Sequence, residues 1–272
     1  MKKRLLAILL FLMLSLIGCS AAEPDAAEKS TAVPPAAPKE PSVAKDAAAE
    51  AKYAFGKVLW NAYQQGILPD GTTLDYTGME SAAENEFALC DVDGDGLEEL
   101  LLLWTQACMA GMQMDVFGYK NGDIYTELTM FPSSTIYSNG VVVENWSHNQ
   151  GLAGERFWPY SIYLYDRDAD TYYAAGSVDA WDRNLVSEGF PADVDKDGDG
   201  MVYFLLPANE AWHYTGSRPD YPAVDGQAHE IWRSGFLGKA QPLEIHMQKL
   251  TEENIAALGC PQPEISVTEP AG

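Results

Sequence analysis

The chain has 272 residues, enough for one large domain or two small ones once removable segments are set aside. Its 17 Lys and Arg stand against 40 Asp and Glu, a formal net charge of −23, which argues against a nucleic-acid partner because neutralising phosphate takes Lys and Arg. Hydrophobic residues make up 47%, ample for a packed core, so global disorder is excluded as well.

The chain opens with Lys2, Lys3 and Arg4, followed by an uncharged apolar run from Leu5 to Ile17. That run is too short for a permanent membrane span and suits an export signal. It ends in Leu16-Ile17-Gly18-Cys19, which resembles the bacterial lipobox. Small residues before the cysteine admit a peptidase, and the thiol is the atom that is acylated. The resemblance implies a signal peptide over 1–19, a mature protein beginning at lipidated Cys19, and an address on the extracytoplasmic face of the cytoplasmic membrane. One acyl chain anchors reversibly, whereas two or more hold firmly.

Residues 20–45 are rich in Ala and Pro and carry no aromatic side chain. Such a stretch buries too little apolar surface to offset its ordering entropy and reads as a disordered tether. One extracytoplasmic domain is expected over 46–272. A helix is expected over 46–65, from the spacing of Tyr53, Val58, Leu59, Ala62 and Tyr63, ended by Gly66 and Pro69-Asp70-Gly71.

The pattern then turns to strands. Phe87–Cys90 and Leu100–Trp104 flank an Asp/Gly loop. Met114–Tyr119 and Ile124–Leu128 form a hairpin about Asn121-Gly122. Val141–Glu144, Tyr160–Tyr165, Thr171–Tyr173 and Val202–Leu206 are further strands. A short helix begins after Thr251, its N-cap, and stops at Gly259 and Pro261. No regular alternation of strand and helix appears, so the fold class is α+β, mainly antiparallel sheet, with an N-terminal helix and a short C-terminal helix.

The flanked loop is the most informative segment. Asp91, Asp93 and Asp95 alternate, Gly96 allows a sharp reversal, the Leu97 carbonyl can add a ligand and Glu99 closes the set. Calcium takes six to eight oxygens in adaptable geometry, and crowded acids repel unless a cation joins them. The loop resembles the D-x-D-x-D-G-x-x-[DE] calcium loops of integrin-type and VCBS/FG-GAP-type extracellular repeats. It departs from a full EF-hand because the twelfth position is Leu102 and the flanks are strands. A structural Ca2+ is therefore the expected cofactor.

Asp193, Asp195, Asp197 and Asp199 form a weaker second loop, with Lys196 inside it. Counted from Asp193 or from Asp195, no acid stands at the ninth or twelfth position. The third acidic turn, Asp166–Asp170, lacks the glycine and reads as a solvated hairpin tip.

The lipobox, tether, Phe87–Gly96 segment and Trp/Tyr-rich second half together resemble uncharacterised lipoproteins of Gram-positive bacteria. That likeness supports compartment and calcium and implies no reaction. With Cys19 acylated, Cys90, Cys108 and Cys260 allow one intramolecular disulfide at most. There is no CxxC, HExxH, GxSxG or P-loop pattern, so no catalytic residue is nominated. Trp146, His148, Trp158 and Trp181 are candidates for an aromatic ligand platform.

The reading is a membrane-anchored, calcium-stabilised, non-catalytic module with a glycan or protein ligand. The alternatives are a cell-surface hydrolase, which a cleft with a perturbed acid pair would favour, and a solute-binding lipoprotein, which two α/β lobes would favour.

Overall fold

The computed structural model describes residues 42–73, 82–105, 112–145, 151–186, 188–208 and 221–263. The leader, Cys19 and nearly all of the tether lie outside them. Helix α1 spans Ser42–Gln65, starting four residues before the expected boundary. Ala51, Ala54, Phe55, Val58, Leu59 and Ala62 are buried, the three-and-four spacing of a helix with one inward face. Gly66 ends it with φ 65°, its amide returning to the Ala62 carbonyl at 3.1 Å.

The first sheet contains β1 (Glu86–Cys90), β2 (Glu99–Trp104), β3 (Gln113–Lys120), β4 (Asp123–Met130) and a short β11 (Gln248–Lys249). Its order is β11-β1-β2-β3-β4, antiparallel throughout. The β3–β4 turn is Asn121-Gly122, with φ of 54° and 98°, the two left-handed residues of a type I′ hairpin. Strand β2 is covered on both faces, which explains its unbroken apolar run. Leu100, Leu102 and Trp104 pack with Phe55, Leu59 and Trp60 of α1, while Leu101 joins Val116, Leu128 and Met130 on the opposite side. The chain's end completes the first cluster through Leu250, Ile255 and Cys260. The Trp60 indole donates to the Cys260 carbonyl at 3.2 Å. Helix α3, Glu252–Ala256, is capped by Thr251, whose hydroxyl accepts from the Asn254 amide at 3.3 Å.

The second sheet holds β5 (Thr135–Ile136), β6 (Val142–Asn145), β7 (Tyr160–Asp166), β8 (Thr171–Asp182), β9 (Met201–Pro207) and β10 (Ala223–Val224). Its order is β10-β9-β8-β7-β6-β5, again antiparallel. Neither sheet has the parallel strands of an α/β lobe. Helix α2, Gly226–Leu237, places Trp232, Phe236 and Leu237 against Val143, Ile162 and Val178 of this sheet. The sheets meet where Ile136, Val142 and Tyr172 join Ala88, Leu101 and Val116.

The fold is thus α+β with mainly antiparallel strands and helices at both ends of the described chain. It departs from the expectation in having two sheets and the additional helix α2. Among the described residues, no helix is long and apolar enough to cross a membrane.

Candidate metal centre

The β1–β2 loop is wound around its own carboxylates. Asp91 accepts from the amides of Gly94 at 2.8 Å and Gly96 at 3.2 Å. Asp93 Oδ1 accepts from the Asp95 amide at 2.8 Å, Asp95 Oδ1 from the Leu97 amide at 2.7 Å, and Glu99 Oε2 from the Val92 amide at 2.8 Å. Gly94 and Gly96 adopt φ of 78° and 96°, a region costly for other residues. Asp91, Asp93 and Glu99 each bring a carboxylate oxygen within 4.8 Å of the other two. Asp95 stands outside that group and is exposed, and Leu97 is half-buried.

Glu127, which the sequence did not single out, and Asp170, from the turn expected to be solvated, join Asp93 from other elements. Glu127 and Asp170 bring oxygens within 4.8 Å of each other and of Asp93. Glu127 sits at a β-bulge: Val116 pairs with Leu128 and Phe117 with Thr126, leaving Glu127 without an opposite residue. A bulge re-aims a side chain, and Gly118 makes room for this one, since a Cβ there would lie 2.0 Å from Glu127 Oε1. Asp170 closes the β7–β8 turn with φ 58°. It holds Lys120 Nζ at 2.7 Å and accepts from the Tyr165 hydroxyl. Its turn was expected to be a solvated tip, but Asp170 leans inward, its side chain mostly covered.

Burial makes this charge expensive. It pushes Glu99 up to about 9, against the pull of the Val92 amide and with the negative Asp93 and Glu127 adding to it. Burial likewise pushes Glu127 up to about 8, with Asp93 and Asp170 adding and Tyr125 opposing. Asp93 is raised by burial, which the Tyr165 hydroxyl and the Asp95 amide oppose. Asp170 lies below the ordinary carboxylate range: the bonds from Lys120, Tyr165 and Tyr125 outweigh its burial. A cavity of about 350 Å³ opens beside these acids, lined also by Tyr119, Tyr125, Tyr165 and Arg167. A divalent cation would suit the donor set, which is carboxylate oxygen throughout.

The second loop repeats the first loop's pattern 104 positions later. Gly200 donates to Asp195 Oδ2 at 3.2 Å, Asp199 to Asp197 Oδ1 at 3.1 Å, and Met201 to Asp199 Oδ1 at 2.7 Å. The frame therefore starts at Asp195, and Tyr203 occupies the ninth place. Asp225, the residue just before α2, joins Asp195 and Asp197 within 4.8 Å. Asp193 and Asp199 are outside this group: Lys196 binds the Asp193 carbonyl, and Asp199 pairs with Arg156 at 3.3 Å. Arg183 pairs with Asp195 at 2.7 Å. Arginine thus offsets part of the charge here, whereas in the first loop Arg167 reaches only the Gly94 carbonyl, at 3.4 Å.

Trp146 and His148 lie outside the described residues. Trp158 is 40% exposed. Trp181, at 3% exposure, is a core residue packed on Phe204 with ring centroids 5.1 Å apart, and so offers no open face. Cys90 and Cys260 are free thiols, and Cys108 lies outside the described residues.

Fold and site together define an α+β protein with carboxylate-rich loops between its strands. No protein-family model, curated protein or solved structure matches the chain.

Proposed function

We propose that this chain is a membrane-anchored extracytoplasmic lipoprotein, attached through Cys19, whose folded part is a calcium-stabilised, non-catalytic module that binds a glycan or protein. The observation that carries the calcium reading is the convergence of Asp91, Asp93 and Glu99 in a loop whose amides already point at the carboxylates. The address rests on the leader and lipobox residues. Extracellular calcium modules bind at about 0.1–1 mM, so one ion adds on the order of 1 kcal/mol at millimolar calcium. For a domain of this size, that corresponds to about 2–4 °C in Tm. The whole chain melted in millimolar Ca2+ and again in chelator should differ by at least that much, and Asp93→Asn should remove most of the difference. Superimposable curves would refute the structural ion.

A hydrolase is the second reading, favoured by one feature: Glu99 and Glu127, with raised pKa values, border a cavity that also holds the low-pKa Asp170. Carboxyls pushed apart in pKa can divide acid and base roles. On that reading, the intact protein releases reducing sugar from a member of a glycan panel, and Glu127→Gln abolishes the release. A glycan panel left intact by the wild-type chain counts against it.

A further inference from the structure

We propose a second divalent-cation position, distinct from the loop ion, held by Asp93, Glu127 and Asp170, with Asp93 bridging the two ions. It rests on the loop reading only for its neighbour, since Glu127 and Asp170 are its own ligands.

The acids fall into two groups that share one member. Opposite ligands of one calcium ion, each about 2.4 Å from it, lie no more than about 4.8 Å apart. Asp91, Asp93 and Glu99 satisfy that limit among themselves, and so do Asp93, Glu127 and Asp170, but the five do not form one group. Asp93, common to both, has two carboxylate oxygens to share.

The second observation is independent of the clustering. Glu127 and Asp93 are each only 4% exposed, and Glu127 Oε2 and Asp93 Oδ2 are buried without a hydrogen-bond partner. A buried oxygen left unsatisfied costs about 1–3 kcal/mol, more when charged. Here two such atoms belong to acids of different elements that converge on one place, and one acid is delivered there by a bulge with a glycine cleared beside it. Lys120 does not fill the role: it approaches from solvent and binds Asp170 alone, with its own side chain 54% exposed. A hard divalent cation would satisfy both orphaned oxygens and would join β4 of one sheet to the β7–β8 turn of the other.

Calcium binding to the whole chain is counted by native mass spectrometry and followed with Tb3+, whose emission neighbouring tyrosines such as Tyr125 and Tyr165 can sensitise. Glu127→Gln should lose one ion per chain, or weaken it by about tenfold or more, while keeping the ion held by Asp91 and Glu99. Asp170→Asn should do the same and serves if the Glu127 variant does not fold. Asp91→Asn should instead lose the loop ion. If Glu127→Gln and Asp170→Asn both bind as many ions as the parent with equal affinity, while Asp91→Asn loses one, the second position is refuted and the loop ion stands. If all three bind as the parent does, both are refuted.

Discussion

Asp179 isolates the cost of a buried charge away from either acidic loop. It is fully buried in β8, its Oδ1 accepting from the Ala180 amide at 2.7 Å and its Oδ2 without a partner. Gly151 lies against it so closely that a Cβ would come within 2.5 Å of Oδ1. Burial pushes the carboxyl from its ordinary 3.8 up to about 6, against the pull of the Ala180 amide. A folded-state value above the unfolded one means that the native state holds the proton more tightly. The stabilising contribution is full below pH 3.8 and is lost as pH rises through 6, a swing on the order of 2–3 kcal/mol. Glu99 and Glu127, raised from 4.5 to about 9 and about 8, lose stabilising protonation in the same direction from about pH 4.5 upward, so Asp179 is read as the difference in slope between parent and variant from pH 4 to 6. Asp179→Asn should make stability fall less steeply across that window and raise it at pH 7 relative to the parent, as read by urea denaturation at several pH values. A variant that keeps the parent slope would show that Asp179 ionises in the native state without penalty.

At the level of elements, what could be read in advance was what repeats locally. The helix α1 stripe, the Asn121-Gly122 hairpin, the Thr251 cap and the strands flanking the first acidic loop all follow from spacing and turn chemistry within a dozen residues. The convergence of three of the five residues expected around the first loop was legible for the same reason, because Asp91, Asp93 and Glu99 share one turn, while Asp95 stands outside the group. Glu127 was not. In sequence it is one residue of a strand, and only the two-against-one pairing with β3 aims it inward. Asp170 stood in a turn that looked solvated, and its inward lean depends on Lys120 and Tyr165, partners from two different strands. Asp225 is separated from Asp195 by a long stretch of chain and meets it because β10 pairs with β9 beside the second loop. Helix α2 carried a faint signal in Asp225-Gly226 before it and Gly238 after it, an N-cap and a C-terminal glycine. Its apolar positions were harder to read, since Ile231 is exposed while the buried His229 is held by the Tyr160 hydroxyl at 2.8 Å.

Across the whole molecule, the acidic centre lies at the seam between the two sheets. Apolar packing of Leu101, Val116, Val142 and Tyr172 closes most of that seam. Around the acids it is polar: the Thr171 hydroxyl donates to the Glu127 carbonyl at 3.0 Å, the Tyr172 hydroxyl to the Val92 carbonyl at 3.4 Å, and Lys120 spans to Asp170 at 2.7 Å. The exposed Lys120–Asp170 pair adds little by itself, so without a cation the seam opposes its apolar packing with crowded acids. A net charge of −23 adds a diffuse repulsion that salt screens, but a bound cation acts at one place. Removing calcium should therefore loosen the molecule locally. Hydrogen exchange in chelator should quicken at the loop amides of Val92, Gly94, Gly96 and Leu97, and where β4 meets the start of β8, by about fivefold for each kcal/mol withdrawn. Helix α1, packed on the far face of the first sheet through Phe55, Leu59 and Trp60, should exchange as before. A uniform acceleration would mean that the ion supports global rather than local stability, and an unchanged map would mean that the seam is held without one.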